Sequence, residues 1–179
     1  MNDSVRMVPP LRRDFDGALA ILTLDRPEKR NALSIELRLA LAAALDAAAH
    51  DDGVHCALLT GAGSAFCAGM DVTQFGGDEE NRRALLESSS RCFEAVARFP
   101  KPLVAYLNGP AIAGGFALAL LCDLRIAAPE ARMGFPEIGR HIPPSATREV
   151  KRRVLLHGER TWLPLLADEL EQLRAALLG

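Results

Sequence analysis

Net charge, long apolar runs and paired cysteines are what this sequence has least of. Its 179 residues carry 21 basic and 23 acidic side chains, a formal net charge of −2. No field of one sign therefore argues for nucleic acid or an anionic membrane surface as partner. The longest apolar stretch, Ala111 to Cys122, is interrupted by Gly114 and Gly115 and falls well short of the roughly 20 residues that a membrane-spanning helix needs. Met1 to Pro10 has no apolar core of the kind a secretory signal requires, and its composition is not that of a transit peptide. Cysteines at positions 56, 67, 92 and 122 form neither a C-x-x-C pair nor a zinc-type spacing. With no leader predicted, they are expected to be reduced, buried thiols of a cytoplasmic protein. The histidines at 50, 55, 141 and 157 are equally scattered, and no metal site is predicted.

What is present is an ordinary globular composition, 49% hydrophobic and 25% charged. A chain of this length buries roughly 70% of its unfolded surface, enough for one core without disulfides or metal. Leu19 to Leu24, Cys56 to Thr60 and Leu103 to Tyr106 read as short apolar strands covered on both faces. Ser34 is placed to cap a helix running to His50, with Leu37, Leu41, Ala44, Leu45 and Ala48 on one side. A second helix is predicted over Asp78 to Phe99, repeating Leu85, Cys92, Phe93, Val96 and Ala97. A shorter helix at Phe116 to Cys122 and a strand at Asp123 to Ala127 complete an alternation of strand and helix that predicts an α/β fold. Leucines at 163, 166, 170, 173 and 177 make a narrow helical seam that must be buried, either on its own subunit or at a subunit contact.

Two glycine-rich turns follow predicted strands: Thr60-Gly-Ala-Gly-Ser-Ala-Phe-Cys-Ala-Gly-Met-Asp71 and Asn108-Gly-Pro-Ala-Ile-Ala-Gly-Gly115. Such turns let a ligand approach the backbone, and the second opens a helix whose amides favour an anion or a developing oxyanion. Neither contains Gly-Lys-Ser/Thr or fits G-x-G-x-x-G, so nucleotide phosphates are not the indicated ligand.

With Asp25-Arg-Pro-Glu-Lys-Arg-Asn-Ala-Leu33 before them, and Cys122-Asp-Leu-Arg-Ile-Ala127 and Met133-Gly-Phe-Pro-Glu-Ile-Gly139 after them, these turns resemble the signatures of the crotonase superfamily, the enoyl-CoA hydratase/isomerase family. The resemblance covers about residues 14 to 144. It implies a spiral of ββα turns as the core, residues 1–144, with 145–179 as an abbreviated helical tail, and an enzyme whose substrate is an acyl-CoA thioester. No cofactor is implied beyond the coenzyme A of the substrate itself. It further implies that the amides of Ala68 and Gly114 hold the thioester carbonyl oxygen. Arg26, Lys29, Arg30 and Ala32, together with Ala68, Gly69, Met70 and Asp71, would contact the coenzyme. A homo-oligomer, a trimer or a pair of trimers, is also implied, with the tail at the contact.

Hydratases of the family carry two glutamates, one in the third signature and one in the later Pro-Glu. Here the first position is Ala117 and the second is Glu137. One carboxylate can carry a proton between C2 and C4 of a substrate more readily than it can both activate water at C3 and protonate C2. The resemblance is thus to a Δ3,Δ2-enoyl-CoA isomerase, with hydration, decarboxylation or thioester hydrolysis as alternatives, and a non-catalytic acyl-CoA-binding protein as a further one. Asp71 and Asp123, short acids at turns, are expected to cap backbone amides. His141 would orient Glu137, supply a second acid, or be an ordinary loop histidine. Three features depart from the family pattern: Ala113 stands where the family has a glycine, residues 143–148 lack the usual glycines, and few residues follow Pro144.

Overall fold

The computed structural model describes residues 9–136. Glu137, His141, the expected boundary after residue 144 and the leucine seam at 163–177 lie outside the described residues. β1 (Leu11–Asp16), β2 (Leu19–Leu24), β3 (Cys56–Gly61), β4 (Leu103–Leu107) and β6 (Leu124–Ala127) form one sheet in the order β1-β2-β3-β4-β6. β1 pairs antiparallel to β2, and every other pair is parallel. β5 (Ala111–Ile112) and β7 (Met133–Gly134) make a separate parallel pair. Among the described residues three α-helices connect the strands: α1 (Ile35–His50), α2 (Glu79–Ala97) and α3 (Gly114–Leu121).

The helices begin where local chemistry starts them. Ser34 Oγ accepts the Leu37 amide at 3.2 Å, and Asp78 Oδ1 accepts the Asn81 amide at 2.9 Å, each satisfying one of the donors a helix start leaves open. One face of the sheet, carrying Leu22, Leu24, Leu59, Leu103 and Leu107, packs against Leu37, Leu41 and Leu45 of α1, Cys92 and Val96 of α2 and Leu118 of α3 in a single core. Burying each such leucine contributes roughly 1.5 to 3 kcal/mol. The opposite face centres on buried Leu58 and Val104, with Ile21, Tyr106 and Ile126 partly buried around them. The strands are therefore apolar on both sides, as their unbroken hydrophobic runs predict.

The structure departs from the sequence reading in three places. β1 is not predicted, because only Leu11 of its six residues is buried and the other five are exposed, four of them charged. A usable signal was the turn, since Gly17 takes φ 54° at the first of two hairpin positions, where mirror-image turns place glycine. The helix expected from Phe116 starts earlier, at Gly114, because the two glycines form its first turn rather than the loop before it. Finally, β5 and β7 are only two residues each, too short for any periodicity to register.

Candidate active site

Three loops leave the carboxyl ends of the parallel strands: residues 25–33 after β2, 62–71 after β3 and 108–113 after β4. In open α/β sheets this is the edge where ligands bind. Two asparagines lace the loops together. Asn31 Oδ1 accepts the Arg26 amide at 2.9 Å, while its Nδ2 donates to Ala62 O at 2.9 Å and Ala65 O at 2.8 Å. Asn108 Oδ1 accepts the Gly61 amide at 3.1 Å, and its Nδ2 donates to Gly63 O at 2.9 Å. Neither residue was singled out by sequence. The available signal for Asn31 was its type, because it sits at φ 57°, a left-handed conformation that asparagine tolerates better than most residues.

The second and third loops meet through backbone alone. Cys67 donates its amide to Pro110 O at 3.1 Å and accepts that of Ile112 at 2.9 Å. A Cβ on Gly115 would run into the Cys67 carbonyl, and one on Gly69, which takes φ 97°, would meet Ile112 O at 3.0 Å. This close approach sets two amides side by side. A Cβ built on Gly114 would lie 3.6 Å from the Met70 nitrogen, and neither the Met70 nor the Gly114 amide has an acceptor among the described residues. The first hydrogen bond closing α3 runs from Ala117 N to Ala113 O at 2.9 Å. The opening thus combines the Met70 amide with unspent N–H groups at the positive end of a helix, an arrangement that favours negative charge.

Ala68, expected to supply the first of these amides, instead gives its N–H to Arg30 O at 2.9 Å. Gly69 is the physical reason. In a regular extended segment the amides of residues 68 and 70 would point the same way, but φ 97° between them turns the chain and leaves Met70, not Ala68, beside Gly114. Arg26 also differs from expectation. Its Nη1 donates to Ala32 O at 2.6 Å and to Asp71 Oδ2 at 2.9 Å, so it ties two loops together and does not present a free cation to a coenzyme phosphate. Asp71 is fully engaged, since its Oδ1 accepts the Thr73 amide at 3.2 Å and the Thr73 hydroxyl at 2.6 Å. Those bonds, led by the hydroxyl and reinforced by Arg26, hold its carboxyl below the usual aspartate range. Asp123 Oδ2 accepts the Leu103 amide at 2.8 Å. Lys29 and Arg30 are exposed, and their side chains make no hydrogen bond among the described residues.

Ala113 has φ 51° and ψ −119°, a region that suits glycine and strains any residue with a Cβ. The family glycine that it replaces is therefore not a neutral loss. Its amide donates to Gly134 O at 2.9 Å, and Phe135 lies against Phe116 with ring centroids 5.1 Å apart. The chain is thereby led along the start of α3 up to Pro136. Ala117 is buried within the first turn of that helix. Burial pushes the thiols of Cys67, Cys92 and Cys122 up to about 12, so they stay protonated and cannot act as nucleophiles at neutral pH. No cluster of metal-ligating side chains occurs among the described residues, and no helix among them is long and apolar enough to cross a membrane.

A mostly parallel sheet packed against helices, with three loops meeting at its carboxyl edge, defines an α/β protein. The family model described as enoyl-CoA hydratase/isomerase matches residues 14–154, and the chain belongs to that family. A Thermus thermophilus protein provisionally named an enoyl-CoA hydratase is 47% identical over 128 residues, 68% of this chain and 50% of its own. The 2,3-dehydroadipyl-CoA hydratase of Escherichia coli is 38% identical over 126 residues, 70% of this chain and 49% of its own. A crystal structure of enoyl-CoA hydratase from Bacillus anthracis superposes with a TM-score of 0.70 at 34% identity, covering 76% of this chain and 54% of that one. The chain spans about half the length of the curated relatives it matches.

Proposed function

We propose that this chain binds an acyl-CoA thioester with the carbonyl oxygen between the amides of Met70 and Gly114, and that Glu137 moves a proton between C2 and C4 of a Δ3-enoyl substrate. Abstraction at C2 builds an enolate whose negative charge collects on the thioester oxygen. Return of the same proton at C4 gives the Δ2 isomer, so atoms and charge balance with no further reactant. Preorganised donors at such an oxygen are worth ~3 to 4 kcal/mol of barrier each. The observation that carries the isomerase reading is Ala117, an apolar buried residue in the first turn of α3, where a hydratase of the family places a glutamate. The course of the chain from Phe135, resting on Phe116, to Pro136 supports Glu137 as the remaining carboxylate. Lys29 and Arg30, exposed on the first loop, are the cations we assign to the coenzyme phosphates.

Hydration is the second reading, favoured by the names of the relatives in Thermus thermophilus and Escherichia coli. The two are separated by supplying the full chain with 3-enoyl-CoA and with 2-enoyl-CoA and following double-bond migration and water addition. Migration without hydration, abolished in Glu137→Gln with acyl-CoA affinity kept within a few-fold, is the expected result. More than about a tenth of the activity surviving in that variant would remove Glu137 from the role. Tight acyl-CoA binding with neither reaction would identify a binding protein instead.

A further inference from the structure

α1 carries a buried cation on its core-facing side. Arg38 falls on the helix face that packs into the core and is 0% exposed, the largest fully buried side chain of the described residues. Its Nε donates to Ser34 O at 3.2 Å, and its Nη1 donates to Ser89 Oγ on α2 at 2.5 Å and to Met70 Sδ at 3.7 Å. Its Nη2 is buried with no hydrogen-bond partner among the described residues, and no carboxylate among them lies within ion-pair distance of it. Three titratable groups act on it through space: Cys92 on α2, Glu36 on its own helix and Asp71 on the second loop. None neutralises it. The Cys92 thiol is protonated, Glu36 is exposed and bonded by the Gln74 amide at 3.2 Å, and Asp71 is taken by Arg26 at 2.9 Å.

A guanidinium does not deprotonate in a protein, and a buried cation without a counter-charge is among the most unfavourable groups a core can hold. An apolar side chain of the same length is expected to be at least as stable at this position. The surroundings show where a counter-charge can arrive. Met70 presents its sulfur to the guanidinium, while its own Cγ lies 3.5 Å, and its nitrogen 3.6 Å, from the Cβ position of Gly114. A methionine side chain, polarizable and free of screening charge, thus separates the buried cation from the amide opening.

We infer that Arg38 is a positioning residue of the oxyanion site, holding Met70 in register and supplying through it the positive charge that an enolate on the far side completes. The inference rests on the reading of that opening as the thioester oxygen's site. Because the negative charge exists only after the proton has left carbon, Arg38 favours the transition state over the ground state, and its loss should appear in kcat rather than in substrate affinity.

The test uses the full chain and acetoacetyl-CoA, a thioester with an acidic methylene whose enolate is seen by ultraviolet absorbance. Titrating the bound ligand with pH should show an enolate fraction higher than that of the free ligand at the same pH. Arg38→Met should reduce this enrichment by about tenfold, one pKa unit of the ligand, while affinity for a non-ionisable acyl-CoA stays within threefold and the thermal midpoint holds or rises. Arg38→Lys should recover most of the enrichment. Should the methionine variant fail to fold, Arg38→Lys against Arg38→Gln repeats the comparison with polar tips in both. An Arg38→Met enolate fraction within twofold of wild type overturns the role of Arg38 and leaves the oxyanion site standing. An absence of enrichment in the wild type overturns the site and Arg38 together.

Discussion

Replacing Ala113 with glycine should make the protein more stable, contrary to the usual effect of adding glycine to a chain. Three terms decide the sign. Holding a non-glycine residue at φ 51°, ψ −119° costs of order 1 to 3 kcal/mol. Glycine loses about 0.4 to 1 kcal/mol through the greater freedom of the unfolded chain, and the deleted methyl, on a half-buried residue, gives up less than the ~0.8 kcal/mol of a fully buried one. Strain is the largest of the three, and relief of it leaves about 1 kcal/mol in favour of Ala113→Gly. Nothing else should change, because the amide of residue 113 keeps its bond to Gly134 O and its carbonyl keeps that from Ala117 N, both 2.9 Å in the parent. For a domain of this size the gain is about 2 to 4 °C in melting temperature, and in urea the midpoint should rise with an unchanged m-value. A midpoint that falls would show that Ala113 is not strained as its dihedrals indicate, and would undercut the account of how the start of α3 is aimed.

Two further substitutions test the site and its scaffold. Gly114→Val places its Cβ in ordinary contact with Met70 Cγ at 3.5 Å and beside the Met70 amide, so the fold should survive while the space between the two amides fills. Turnover should drop by about 100-fold or more, as measured by double-bond migration, and a fully active valine variant would move the carbonyl elsewhere. Asp71→Asn breaks the 2.9 Å pair with Arg26, whose side chain is 19% exposed against 5% for the aspartate, and should cost about 2 kcal/mol, less than a fully buried pair. Because the Asp71 carboxyl titrates below its ordinary value of 3.8, its contribution is complete above that value and disappears as pH falls through the folded-state pKa. Denaturation curves of wild type and variant should therefore be well separated at pH 7 and converge at strongly acidic pH, and a gap independent of pH would mean that the aspartate acts through shape rather than charge.

The sequence by itself determined the elements whose causes are local. Ser34 and Asp78 start their helices through side chains three residues from the amides they cap, and the strands read at 19–24, 56–60 and 103–106 form because their apolar runs give one face to the core and the other to a partly buried cluster. The glycines that permit close backbone approach were legible for the same reason, and so was Ala117, whose significance lies in its identity. Tertiary structure decided which groups the site has free. Whether the amide of Ala68 or that of Met70 faces the opening depends on a carbonyl that Arg30 brings from another loop and on the turn at Gly69. Whether Arg26 can meet a phosphate depends on Asp71, supplied from the far side of a parallel crossover. Arg38 shows the limit most sharply. On a helical wheel an arginine marks a wet face, yet here α1, α2 and the second loop close around it. Capping and periodicity act over one turn or one strand, whereas a hydrogen-bonding group is left free or taken by whichever distant segment packs beside it.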